Sequence, residues 1–229
     1  MCDYLCPRLK LLFIEAYHEN GIRFKSIPKK IKSKYSLYPQ SLYKRIPAHV
    51  EKTIDFIFIG GFNTDRRTEV NRQWILPFIK TFFTPNSYLQ FTNKEMRQKY
   101  TPLGPFDYTM IRTGMVPKML SGSQKSAYDA NYFDMMARSR FCLCPGGDCL
   151  WSMRFLEAIM CKCIPIVKFP KESWRCKSES LIGYKYYLTS DANITYRQDW
   201  VEHNYSLFLK YHTLEGKRER NADDVVIYH

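Results

Sequence analysis

The sequence predicts an α/β fold built on a mostly parallel sheet, and three observations carry that reading. The strand-like segments, above all Thr53-Ile-Asp-Phe-Ile-Phe-Ile-Gly-Gly and Cys163-Ile-Pro-Ile-Val, are apolar almost throughout rather than in alternation. A strand covered on both faces has this pattern, and parallel sheets are covered on both faces. Segments with helical spacing separate these strands, the rhythm of repeated βαβ units. Finally, strands run out into glycine loops (Gly60-Gly61 and Pro145-Gly-Gly), and ligands of parallel sheets bind at the C-terminal ends of the strands.

Taken in order, residues 1–52 read as a basic N-terminal extension, with one amphipathic helix over 9–17 and turns over 27–50, where Pro28, Pro39 and Pro47 interrupt any helix. The main domain is expected over 53–215. Its first strand ends at the paired glycines, Asn63-Thr64-Asp65 can cap a helix, and Val70, Trp74, Ile75, Phe78, Ile79 and Phe82 predict one helix from Arg66 to Phe83. Tyr88-Leu-Gln-Phe-Thr is a second strand. Residues 93–122 are punctuated by proline and glycine, with 107–112 as a candidate strand. A helix over 126–137, a strand over 140–144, a helix over 152–160, a strand over 163–167, a strand over 184–188 and a closing helix over 197–211 follow. Residues 216–229 form a polar tail.

Composition narrows the function classes. With 45% hydrophobic residues and 15 Phe, 17 Tyr and 4 Trp, the chain is not mainly disordered. No apolar run reaches a membrane span, and Leu11–Ile14 meets Glu15 too soon for a signal peptide, so the chain reads as soluble and cytoplasmic. The net charge of +13 is uneven: residues 1–52 hold 11 Lys and Arg against 4 Asp and Glu. Such an excess suits an anionic partner or a plain solvated face. The eight cysteines are Cys2, Cys6, Cys142, Cys144, Cys149, Cys161, Cys163 and Cys176. The two Cys-x-Cys pairs sit in strand-like stretches without Cys-x-x-Cys, so buried, reduced thiols without metal are expected.

The segment that carries chemistry runs from Ser139 to Val167: strand, glycine loop, helix, strand. Ser152 is a natural N-cap for the helix. That helix is apolar except for Arg154 and Glu157, three residues apart and so on one face. A cation in the first turn opposes the helix dipole unless an anion joins it. A nucleoside diphosphate would satisfy both residues, with phosphates at Arg154 and Ser152 and ribose at Glu157. A simple Arg154–Glu157 ion pair is the alternative from spacing alone.

The same segment closely resembles the nucleotide-binding signature of exostosin-like glycosyltransferases. Ser139, Phe141, Cys142, Leu143, Pro145, Gly147, Ser152, Arg154, Phe155, Glu157, Ala158, Cys163, Ile164 and Pro165 carry the likeness, and Gly147-Asp148 is similar to plant-type members. The resemblance implies a Rossmann-like domain of the type forming the C-terminal lobe of GT-B enzymes, mostly inverting and independent of an Asp-x-Asp metal motif, with no metal or other cofactor. It implies that Ser152 and Arg154 hold the donor diphosphate and Glu157 the ribose, that Gly146 and Gly147 belong to the donor loop, and that Arg66 or Arg67 matches a family arginine near the phosphates. The catalytic base is not placed; Asp65, Asp107 and Asp148 are candidates only through their expected position near strand ends, and each reads first as a turn or cap residue.

Two readings of function follow. In the first the chain moves a sugar from a nucleotide-sugar donor to a glycan or glycoprotein acceptor. Residues 1–52 are too few for a complete acceptor lobe, so an oligomer or a partner would supply acceptor-side surface. In the second the chain is a non-catalytic polyanion binder, a degenerate transferase lobe working through its basic N-terminus.

Overall fold

The structure is a computed structural model; it describes residues 38, 43–47, 49–61, 71–91, 130–146, 150, 152–168, 183–213 and 216. Five strands, β1 (Ile54–Gly60), β2 (Tyr88–Phe91), β3 (Ser139–Leu143), β4 (Ile164–Val167) and β5 (Tyr187–Leu188), form one sheet in the order β2-β1-β3-β4-β5. Every pairing is parallel. The helices are α1 (Ile75–Phe82), α2 (Ala130–Ala137), α3 (Arg154–Met160) and α4 (Gln198–His212). This is the α/β, Rossmann-like architecture expected from the apolar strands, with β1, β3 and β4 central.

The continuous apolar pattern has a direct cause. Ile57, Ile59, Cys142 and Cys144 enter a core with residues of α2 and α3, while Phe56, Phe58, Phe141 and Leu143 enter a second core with Trp74, Ile75 and Phe78 of the α1 segment. Successive residues of one strand thus feed opposite layers, so neither parity can be polar. Tyr38, Tyr43 and Ile46 join the first core, and Tyr38 meets Thr213 in an isolated parallel bridge. The exception inside β1 is Asp55, which pairs with Arg140 and accepts a 2.6 Å bond from the Thr84 hydroxyl.

Three element boundaries differ from expectation, each for a local reason. The helix expected over 66–83 is not continuous within the described residues. It is helical at 71–72, turns at 73–74 and begins again at Ile75. Pro77 has no N–H to return to the carbonyl of Gln73, so the ladder restarts with proline in its first turn. The strand expected over 184–188 is confined to Tyr187–Leu188. The Asn204 side chain of α4 takes both backbone groups of Lys185, at 2.7 Å each, and so replaces a ladder partner there. The third difference is α3, which starts at Arg154 behind an αR residue at Met153, with no side-chain cap. Phe155 N–H bonds the Ser152 carbonyl at 3.0 Å, a tight turn in which the Ser152 hydroxyl caps nothing.

At the N-terminal edge of the sheet one side chain ties two helices. Lys52 Nζ donates to the carbonyls of Ala137 (2.6 Å) and Cys161 (3.0 Å), at the C-terminal ends of α2 and α3, where a cation offsets the exposed carbonyl dipoles. The turn after α3 is closed by Lys162 in the left-handed region (φ 57°), with Lys162 N–H on Ile159 O and Cys163 N–H on Ala158 O. Among the described residues, no helix is long and apolar enough to cross a membrane.

Cys142, Cys144, Cys161 and Cys163 are free and buried. Cys163 Sγ points at the carbonyls of Met136 (2.7 Å) and Ser139 (3.1 Å). Burial pushes the Cys142 and Cys161 thiols up and moves Cys163 to about 12 from an ordinary 9.0. Iodoacetamide at pH 8 should therefore leave these four unmodified in native protein and label them in urea, as read by peptide mass spectrometry; fast native labelling would contradict this burial. Because the folded value is the higher one, the protonated Cys163 contributes fully below pH 9 and its contribution should be lost as pH rises from 9 towards 12. Urea midpoints across that range test the sign.

Candidate functional site

The strand order locates a crevice. From β1 the chain crosses to β2 on one side and returns to β3 on the other, so the order reverses between β1 and β3. Ligands of open parallel sheets bind above such a reversal, at the C-terminal strand ends. Here the two strands also part. Their ladder runs Ile54–Ser139, Phe56–Phe141 and Ile57–Cys142 and ends there. Above it β1 continues on β2 up to Gly60–Phe91, while Cys144 N–H turns to Ile166 O of β4 at 2.8 Å.

Arg154, the first residue of α3, reaches this crevice. Its guanidinium lies over the Phe58 ring, 5.2 Å from the centroid. A Cβ built on Gly60 would come within 2.9 and 3.1 Å of the two terminal guanidinium nitrogens. Gly60 is thus needed for space, since any side chain there would displace the cation from the end of β1. Phe58 supplies a flat surface with negative charge at its face.

Behind the guanidinium stand Tyr132 of α2 and Glu157, one turn further along α3. The Tyr132 hydroxyl donates to Glu157 Oε2 at 2.6 Å. Tyr132 is fully buried and Glu157 is 6% exposed. Burial, then the Glu157 charge, push the Tyr132 phenol well above its ordinary value, so it remains a donor at neutral pH. For Arg154 burial acts downward, yet the net shift is upward, with the Glu157 carboxylate one turn away on the same helix. The guanidinium stays charged. Glu157 thus accepts a hydrogen bond from a second helix, through the Tyr132 hydroxyl, besides lying one turn from Arg154 on its own helix.

Two polar atoms here have no hydrogen-bond partner although both are buried: Ser152 Oγ and Arg154 Nε. Buried polar groups are nearly always paired, so two such atoms two residues apart mark a place where a polar group would be accommodated. Across the crevice, Arg72 Nε donates to Gly146 O at 3.1 Å and Arg72 Nη1 to Gly61 O.

Of the residues anticipated from sequence, Ser152, Arg154, Glu157 and Gly146 are brought to this one edge of the sheet. Asp65, Arg66, Arg67, Asp107, Gly147 and Asp148 lie outside the described residues. Sequence reasoning missed Phe58, Gly60, Arg72 and Tyr132. Gly60-Gly61 after an apolar strand was a visible signal for close approach. Tyr132 lies in the segment from Tyr128 to Met136 that resembles a Tyr- and Asp-rich helix of the exostosin-like family, a signal for the helix but not for its partner, and Arg72 carried none, because its partners are distant in the chain.

The family model of the exostosin GT47 domain matches residues 50–197, a span that contains the whole sheet. A probable glucuronosyltransferase of Oryza sativa subsp. japonica is 51% identical over 69 residues, 28% of this chain and 16% of that protein. Another from the same plant is 48% identical over 40 residues, 18% of this chain and 9% of the relative. A probable glycosyltransferase of Arabidopsis thaliana is 49% identical over 37 residues, 16% of this chain and 8% of that protein. The chain thus matches less than a fifth of the length of each of these relatives. No solved structure gives a significant match.

The Tyr132–Glu157 bond yields a stability prediction. Tyr132→Phe removes one hydrogen-bond donor from the buried Glu157 carboxylate, at a cost of about 1–3 kcal/mol. Urea denaturation should show the midpoint falling with little change in slope. A variant as stable as the parent would show that the bond is not formed.

Proposed function

We propose, from the premise that this chain belongs to the exostosin GT47 family, that it transfers a sugar from a nucleotide-sugar donor to a hydroxyl of a glycan or glycoprotein acceptor. The observation that carries the reading is the pair of orphaned buried polar atoms, Ser152 Oγ and Arg154 Nε, beside a charged guanidinium at the strand-order reversal. A diphosphate supplies what both lack, oxygens that accept hydrogen bonds and a negative charge. The relatives' names, glucuronosyltransferase among them, support a nucleotide-linked glucuronic acid as the first donor to test.

In this reading Arg154 does its work where charge develops. As the acceptor oxygen attacks the anomeric carbon, the bond from that carbon to the diphosphate breaks, and negative charge grows on the leaving phosphate. A preoriented guanidinium in a dry setting lowers the barrier more than it strengthens ground-state binding. The acceptor proton passes to a base on the acceptor side, and configuration inverts at the sugar. The reading includes no metal, and the Arg154 guanidinium offsets part of the diphosphate's negative charge. The acceptor surface is completed by further chain, a second copy or a partner.

Calorimetric titration of a panel of nucleoside diphosphates tests the site. Arg154→Ala removes a charge-assisted bond of about 1.5–3 kcal/mol, so affinity should fall roughly 10- to 150-fold while the fold survives. Unchanged affinity in folded Arg154→Ala would sink the assignment. Glu157 has two separable roles. If it accepts from ribose, Glu157→Gln weakens nucleoside diphosphates but not inorganic pyrophosphate. If it acts as the countercharge beneath Arg154, both weaken together. Its burial favours the second outcome. Retention that depends steeply on salt, with no nucleotide binding, would favour the polyanion binder instead.

A further inference from the structure

Arg72 joins two segments that the sheet leaves apart. Above Ile57–Cys142 the β1–β3 ladder has ended, and each strand leans on its outer neighbour. Gly61 follows β1 on one wall of the crevice, and Gly146 lies beyond β3 on the other. The Arg72 guanidinium spans the gap, with Nη1 on the Gly61 carbonyl and Nε on the Gly146 carbonyl. Gly61 adjoins Gly60, the residue against which the Arg154 guanidinium rests. A shift of the β1 end relative to the Gly146 segment would therefore move the surface that seats Arg154.

We propose that Arg72 is a positioning residue for the donor site: its forked guanidinium fixes the spacing of the crevice walls and so the place of Arg154. This rests on the donor reading of Arg154 and Ser152 given above, and assigns Arg72 no contact with the donor. The fork is essential to the argument. Two donors in one rigid plane can hold two carbonyls at a set separation, whereas a lysine ammonium keeps the charge without that geometry. Nothing comparable is needed lower down, where the strand ladder sets the spacing.

The test uses the full chain with Arg72→Lys, Arg72→Gln and, as a control for a ligand residue, Arg154→Ala. Hydrogen exchange without nucleotide is read on peptides covering 58–61 and 143–146, and nucleoside diphosphate affinity by calorimetry. For Arg72→Lys we expect faster exchange on both walls, a small change in melting temperature and a roughly tenfold loss of affinity. Arg72→Gln should do the same, and either folded variant suffices. Arg154→Ala should lose affinity with exchange at 143–146 unchanged. Parental exchange on both walls, or parental affinity with altered exchange, overturns the proposal. If the wild-type chain binds no nucleoside diphosphate, the donor reading has failed. The part of the proposal independent of it then stands on faster exchange of both walls and falls without it.

Discussion

A guanidinium held partly out of water must be surrounded by groups that tolerate or reward its charge, and in this protein the surroundings of Arg154 come from three separate stretches of chain. Phe58 and Gly60 give a flat face and an empty space at the end of β1. Tyr132 of α2 and Glu157 of α3 give a hydrogen-bonded carboxylate behind. Removing any of these leaves a charge that is either displaced or poorly compensated, and burial makes such losses expensive. The helix carrying Arg154 is buried along the rest of its length and apolar there except for Glu157, so it cannot rotate to carry the cation into solvent.

The sheet makes that arrangement possible. Parallel strands buried on both faces hold β1 and β3 in register from Ile54–Ser139 to Ile57–Cys142 and β3 and β4 from Phe141–Ile164 to Leu143–Ile166, and the fork above Ile57–Cys142 leaves room for polar groups. At the opposite edge, Lys52 takes the carbonyl ends of α2 and α3 together. The two helices that supply Tyr132, Arg154 and Glu157 are thereby tied at their far ends. This limits relative sliding of α2 and α3 and keeps the Tyr132–Glu157 bond short.

Much of this was legible in the residues. The nearly period-free apolar runs at 54–60 and 164–167 specify strands with two buried faces, because successive apolar residues must each find a covered side, with Asp55 the one polar exception. The segment from Ser139 to Val167 was readable because strand, loop and helix are contiguous there, and Arg154 and Glu157 stand out against an apolar helix. Where the reading failed, a nonlocal or atomic detail decided. Pro77 interrupts a helix whose hydrophobic spacing is unbroken. Asn204 takes over Lys185's backbone bonds from a different element. Ser152 has a capping side chain, yet the tight turn at Met153 directs its hydroxyl away from the helix N–H groups.

Local pattern therefore determined the fold class, the locations of the central strands and the presence of a cation at the head of α3, since each depends on neighbours within a turn or a strand. It could not determine which groups surround that cation. Tyr132 meets Glu157 across 25 positions, and Arg72 meets Gly146 across 74. Contacts of that separation depend on how helices and strands pack, and a tyrosine or an arginine with no local partner carries no mark in the sequence of the one it will find. Packing decided them because closing the sheet brings the ends of β1 and β3 together with α2 and α3, and only then do the buried polar groups meet.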